Sequence, residues 1–273
     1  MSAVLENARA GTPQALRAEW IKLRTVRSTA WALLSFVGVS VLFSAWAAWE
    51  SETAGGSPNR PGDNDIVVDM LAGVWFGQIA LTVLAVLAIT SEYSTRSIRT
   101  TFAANPRRLT VLAAKAAVVA AIALLAGTLA TVACFFSGRE ILQSNGFTYE
   151  NGYPTPSLVE GTTFRVVGGT VVCLVLLAIF ALGVGAVLRH TAGAITVVLA
   201  AILAPVIAIG LLPEDLAHHV ERVSLLGAGL AVQQTVDRPD NIPLSPATGL
   251  GVVAAYAAVA LLAALVTITR RDA

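Results

Sequence analysis

Residues 89–108 read ITSEYSTRSIRTTFAANPRR, and apolar chain lies on both sides of them. Some twenty apolar residues precede the segment and nearly thirty follow it. It carries four arginines, one carboxylate and a proline. A polar, basic segment of this length between two greasy runs reads as a connection between two membrane crossings. Apolar runs of 18 or more residues are long enough to cross a hydrocarbon core of about 30 Å at about 1.5 Å per helical residue.

The rest of the composition fits. Of 273 residues, 56% are hydrophobic and only 13% charged, against about 25% charged in a typical soluble domain. The charges fall in short islands. Six spans are expected, at about 28–49, 66–90, 109–136, 166–188, 192–212 and 250–269, in an all-α integral membrane protein. Residues 1–27 form a cytoplasmic N-terminus and 28–273 the transmembrane domain. The first thirty residues are too long and too polar for the charged start of a cleaved signal peptide, so the first run is expected to stay as an anchor. Only Arg189, His190 and Thr191 separate spans four and five, which predicts a tight membrane hairpin.

Lys and Arg in alternate loops set the orientation. One side holds Arg9, Arg17, Lys22, Arg24, Arg27, Arg96, Arg99, Arg107, Arg108, Lys115, Arg189, Arg270 and Arg271. The other holds Arg60, Arg139, Arg165, Arg222 and Arg238. Thirteen against five places the first side, with both termini, in the cytoplasm. Four acids (Glu6, Glu19, Glu92 and Asp272) fall on that side and the other thirteen opposite. Inside the spans ionisable groups are scarce. Asp69 sits near the outer end of span two, and Lys115 near the inner end of span three, where its stem is expected to snorkel to the interface. Proton relay through the bilayer, which needs carboxylates or histidines at mid-depth, is a poor fit.

Two segments carry information beyond topology. Before span one, PQALRAEWIKLRTVRS (13–28) places Leu16, Trp20 and Leu23 on one helical face, with Arg17, Lys22 and Arg24 elsewhere. This predicts an amphipathic interfacial helix with Trp20 at headgroup level and Lys22 and Arg24 toward lipid phosphates or a partner; an ordinary basic stretch that only sets topology is the plainer alternative. Read as a helix from Glu92, the opening segment puts Arg96, Arg99 and Ala103 on one stripe and Thr95, Ile98 and Phe102 on its neighbour. Asn105-Pro106 ends it, because the residue before proline avoids the helical region. A topology signal needs arginines but no ordered apolar stripe. The stripe predicts a docking helix for a cytoplasmic protein, with arginines for surface carboxylates and Ile98 and Phe102 as anchors.

These residues also carry a resemblance. SEYSTRSIRTTFAANPRR (91–108) resembles the cytoplasmic connection between spans two and three of type-2 ATP-binding-cassette (ABC) permeases, the six-span membrane subunits of ABC exporters. The shared pattern is Glu92-Tyr93, the small pair Ser94-Thr95, Ile98-Arg99, a short run to Ala104, and Pro106-Arg107-Arg108. AEWIKLRTVRS (18–28), LRHTAGAI (188–195) and the terminal RRDA look like the actinobacterial branch. Many relatives have glycine where this chain has Arg96, which puts the local backbone or its partner groove in question.

The resemblance implies a coupling helix seated in a groove of an ABC ATP-binding subunit, with Glu92, Tyr93, Arg96, Ile98, Arg99, Phe102, Pro106 and Arg107 as its candidates. It implies a second permease copy or homologue (a homo- or heterodimer), a bacterial plasma membrane, and ATP and Mg held by the partner subunit. No nucleic-acid partner is expected. The chain has no G-x-x-x-x-G-K-[ST], so the motor is expected on another polypeptide. In the family, spans two and five line a substrate path, which makes Trp75, Phe76, Gln78, Ile202, Pro205 and Ile209 pathway candidates beside their packing or lipid-facing roles. Pro205 is expected to kink span five. Gly73-Val-Trp-Phe-Gly77 is a G-x-x-x-G, either a close-packing site or a common pattern in a Gly-rich membrane chain.

The remaining features are plainer. Cys134 and Cys173 read as small packing residues. His218 and His219 are adjacent and lack a third ligand, so no metal is expected. The loop 213–247 is expected to fold, by resemblance, into re-entrant or capping helices, and 137–165 has hairpin-like turn composition.

The function expected is therefore the permease subunit of an ABC exporter, not itself an enzyme, moving an amphiphilic or hydrophobic cargo. Two other readings stay open: a non-transporting mechanical partner of an ATPase, and an intramembrane enzyme. The latter is weakened by the absence of G-x-S-x-G and H-E-x-x-H from the sequence.

Overall fold

The computed structural model describes residues 12–51, 66–95, 97, 108–151, 156–235 and 244–271. Ten α-helices order these residues: α1 (Thr12–Thr25), α2 (Arg27–Glu50), α3 (Ile66–Leu71), α4 (Val74–Ser94), α5 (Arg108–Ser144), α6 (Gly161–Leu188), α7 (Thr191–Ile209), α8 (Glu214–Val223), α9 (Leu225–Gln233) and α10 (Pro246–Arg271). One 3₁₀ turn lies at Tyr149–Asn151, and no strand occurs among the described residues.

Six stretches are long and apolar enough to cross a membrane: Arg27–Glu50, Ile66–Ser94, Leu109–Ser144, Gly161–Leu188, Thr191–Ile209 and Pro246–Arg270. This architecture is compatible with a multi-pass membrane protein. Spans two, three and four bury more than half their residues inside the bundle, whereas spans one and five present most of their surface outward.

Small residues let the helices approach. Phe36, Ser40, Ser44 and Ala48 form the buried stripe of α2. Gly73 and Gly77 face that stripe. A Cβ on Gly73 would overlap the Ser40 carbonyl and the Ser44 amide, and one on Gly77 would meet the Ser40 hydroxyl. The Gly73 amide donates to Ser44 Oγ at 3.0 Å. The G-x-x-x-G thus packs two spans of this chain against each other, as small-residue spacing permits. Gly183 of α6 meets Ala260 of α10 in the same way.

The structure departs from the expected boundaries in two places, and loop 213–247 contains helices as expected. Span two breaks into α3 and α4 at a turn over residues 72–73, where Gly73 fits under α2. The third span runs on to Ser144, so helix occupies the first part of the loop expected to be a hairpin. Its last turns bury Leu142, and Gly138 packs on Met70, so the apolar face outlasts the apolar composition. Loop 213–247 contains α8, amphipathic and exposed, and α9, which is largely buried. Ser224 starts α9, accepting a hydrogen bond from the Gly227 amide at 2.9 Å.

Contacts sort the spans onto two ends. At one end, Asn145 Nδ2 donates to the carbonyls of Ala48 and Ser51, Trp75 Nε1 donates to Gln233 Oε1 at 2.9 Å, and Arg165 reaches the Gln234 carbonyl at 2.8 Å. At the other, α1, the last turn of α4, the start of α5, the α6–α7 turn and the C-terminal part of α10 meet. The turn is tight, as expected. Arg189 caps α6 in the left-handed region (φ 56°), and His190 caps α7, its Nδ1 accepting from the Gly193 amide at 3.1 Å.

Candidate functional site

The end that gathers α1, α4 and α5 holds the most concentrated chemistry of the described residues. Sequence explains the local frame. Helix α1 closes with Lys22 and Arg24 in its last turn, where cations suit the helix dipole. Val26 then takes an extended conformation and re-aims the chain into α2. Helix α4 ends with Ser91, Ser94 and Thr95 hydroxyls bonded back to backbone carbonyls, which close its last turn.

Four charges from three helices form a closed ring. Glu19 Oε1 accepts from Lys22 Nζ at 3.0 Å and Glu19 Oε2 from Lys115 Nζ at 2.5 Å. Glu92 Oε1 accepts from both ammonium groups, at 2.8 Å from Lys115 and 3.0 Å from Lys22. The third Lys115 hydrogen goes to the Ala88 carbonyl at 3.1 Å. Lys115, Glu19 and Glu92 are buried, while the Lys22 side chain keeps 43% of its exposure. Signs alternate around the ring and sum to zero. Each buried charge has two opposite neighbours, the arrangement that can offset desolvation. Burial acts to lower the proton affinity of Lys22. Hydrogen bonds and attraction from Glu19 and Glu92 outweigh that, so its pKa lies above the ordinary 10.5.

Glu92 and Lys115 flank the connection 95–107, so the ring ties the two helices that bracket it to each other and to α1. The next residue extends the network. The Tyr93 ring lies under the Arg189 guanidinium at 5.1 Å, and Arg189 Nη2 donates to the Thr267 carbonyl at 3.3 Å. Spans two, three, four and six and α1 are thereby joined at one end.

Of the residues singled out from sequence, Glu92 and Tyr93 take part directly. Arg96, Ile98, Arg99, Phe102, Pro106 and Arg107 lie outside the described residues. In α1, Lys22 joins the ring, while Trp20 and Arg24 are exposed. The inward face of α1 is centred on Glu19; Leu16 and Leu23 of the expected stripe are half-buried beside it, while Trp20 turns outward. Lys115 is buried at this end of the bundle, held between two carboxylates.

The pathway candidates take packing positions. Trp75 bonds Gln233 and lies against Gly229 of α9. Phe76, half exposed, stacks on Phe43 with centroids 4.3 Å apart. Gln78 is buried, its Oε1 without a hydrogen-bond partner among the described residues. Ile202 is in the core, and Pro205 and Ile209 are half-buried. Both cysteines are buried and free. His219 Nδ1 bonds the Asp215 carbonyl at 2.7 Å within α8, and no group of three metal-ligating side chains occurs among the described residues.

Glu19 and Lys115 were not singled out as site residues. The available signal was that Glu19, Glu92 and Lys115 are isolated charges of opposite sign that the topology places on one side. No known protein family, curated protein or solved structure matches this chain.

Proposed function

We propose that this chain is the membrane-spanning permease subunit of an ABC-type exporter, working with a second permease and driven by a separate ATP-binding subunit that docks on the 95–107 connection. The observation that carries the reading is the buried ionic ring. A segment that receives force needs stiff anchors, and both helices leaving this connection are pinned to each other and to α1 by charge pairs three of whose four members are buried. A displacement delivered there passes to spans two and three directly, and through Tyr93, Arg189 and Thr267 to spans four and six. Coupling then consists of contacts that differ between two states of the bundle. The positive side, with both termini, faces the cytoplasm in this reading. The cargo class favoured is amphiphilic or hydrophobic, since ionisable groups are scarce within the spans.

The test is purification of the tagged chain from its native membrane in mild detergent, with mass spectrometry of what accompanies it. A stoichiometric protein carrying a Walker A motif, lost in an Arg99→Ala/Phe102→Ala double variant that still inserts, is the expected result. Recovery of the chain alone, or with a partner that lacks an ATPase motif, overturns the reading.

A further inference from the structure

The ring leaves the two sides of α1 electrostatically unequal. Glu19 is the one acid of this helix, and it is buried and shared by two lysines. Lys22 spends its charge on Glu19 and Glu92. Turned away from them, Arg17, Trp20 and Arg24 recur at i, i+3 and i+7, on one face of the helix. All three are exposed, as is Ile21 beside them. No carboxylate pairs with Arg17 or Arg24 among the described residues. Arg27, exposed in the first turn of α2, adds a third charge. The helix dipole disfavours a cation there, and that turn holds no acid. Three guanidinium groups therefore stand together with no anion of this chain to meet them among the described residues.

The cationic face lies beside the bundle and not beyond its end. Glu19 meets Lys115, which is seven residues into α5 and so about 10 Å from its start. Only Val26 separates α1 from α2, a span that presents most of its surface outward. Val26, Trp31 and Leu34 are exposed, so exposed apolar side chains recur from Ile21 into span one. A soluble acidic partner on α1 would also have to cover Trp31 and Leu34, on a helix bound for the bilayer core. A lipid covers both with its acyl chains and sets its phosphate beside the arginines.

We propose that the outward face of α1 is a binding surface for anionic phospholipid, with Arg17, Arg24 and Arg27 on the phosphates and Trp20 and Ile21 at the boundary between headgroups and acyl chains. Arginine suits the role because its fork takes two phosphate oxygens at once. A zwitterionic lipid carries a cation of its own beside the phosphate and gives back part of the attraction; an anionic lipid does not. The lipid and the ring hold opposite faces of the same helix, so anionic lipid favours α1 docked on the bundle. The surface involves neither ATP nor a partner protein and stands apart from the ATPase-docking reading.

The test is hydrogen exchange of the Thr12–Thr25 amides in the full-length protein, in nanodiscs of phosphatidylcholine alone and of phosphatidylcholine doped with phosphatidylglycerol. Exchange of α1 is expected to slow by at least about fivefold in the anionic discs; the two arginines of α1 set a ceiling of roughly thirtyfold. The slowing should fade as salt is raised. An Arg17→Gln/Arg24→Gln variant touches neither the ring nor the core, and it keeps eleven of the thirteen basic residues on its side that set orientation. It is expected to keep wild-type thermal unfolding and lose the response to phosphatidylglycerol, while Arg222→Gln, at the opposite end of the bundle, keeps that response. Equal exchange in the two kinds of disc, or an unaltered response in the double variant, overturns the surface. A photo-crosslinking amino acid at Ile21, irradiated in native membranes, checks the occupant: crosslinks to lipid are expected, and crosslinks confined to another protein overturn lipid as the occupant.

Discussion

Replacing Lys115 by Met tests the ring most sharply, because the stem volume stays and only the ammonium leaves. Glu19 Oε2 and the Ala88 carbonyl then lose their partner, and Glu92 keeps only Lys22, whose side chain is 43% exposed. Removing one member of a buried charge pair typically costs about 3–5 kcal/mol. A ceiling comes from neutralising one stranded carboxylate. At pH 7 and an ordinary value of about 4.3, protonation costs about 1.36 × 2.7, or about 3.7 kcal/mol. Lys22 still serves both carboxylates, so the lower part of that range applies, about 3 kcal/mol. Local opening of α1 is then favoured by about 100-fold. Hydrogen exchange of the Thr12–Thr25 amides in lipid nanodiscs reads this directly. The expected result is that acceleration, or complete loss of protection, confined to α1 and the helix ends around the ring. Lowering the pH toward the ordinary carboxylate range should restore protection, since the penalty belongs to the ionised acids. An acceleration below about threefold, or one indifferent to pH, would refute the reasoning.

Other perturbations follow from the same contacts. Gly77→Val drives a branched side chain into Ser40 and the Phe36 carbonyl of α2 and should destabilise by at least about 1–3 kcal/mol. Gly251→Ala, with nothing within 4 Å of the added carbon, should be neutral or slightly stabilising; thermal unfolding in detergent compares the two. Trp75→Phe removes the donor to Gln233 Oε1, leaving a fully buried amide with only its bond to Thr170. A cost of about 1–3 kcal/mol is expected, seen as faster exchange in α9. The raised Lys22 value sets a pH limit: its contribution is present below the ordinary 10.5 and is lost as pH rises through the higher folded value. Exchange of α1 should therefore hold steady across neutral pH and, after correction for the intrinsic rate, accelerate only above about pH 10.5.

The spans were legible because membrane insertion writes itself in composition: long runs without charge leave few other readings. The hairpin was legible for a similar reason, since three residues at 189–191 leave room only for a turn. Helix ends were less so. Span three was expected to stop near Phe136 because Arg139 and Glu140 are polar, yet the helix continues while Leu142 and Phe147 find apolar cover. The broken second span depends on a neighbour: Gly73 turns where Ser44 can take its amide, a contact 29 residues away in sequence. The ring was half legible. Glu92 stood out through its motif and Lys115 through its isolation, but Glu19 hid within a basic helix whose apolar stripe pointed to Trp20. Which side of α1 turns inward was decided by the two lysines it could pair with, a tertiary fact absent from any single helix.

The proposed function turns on what touches the 95–107 connection. The most direct measurement is a photo-crosslinking amino acid placed at Phe102, irradiated in native membranes, with the joined peptide sequenced by mass spectrometry. Crosslinking to a protein that carries a Walker A motif is the predicted result. Crosslinking only to lipid, to this chain itself or to a protein without an ATPase motif would contradict it.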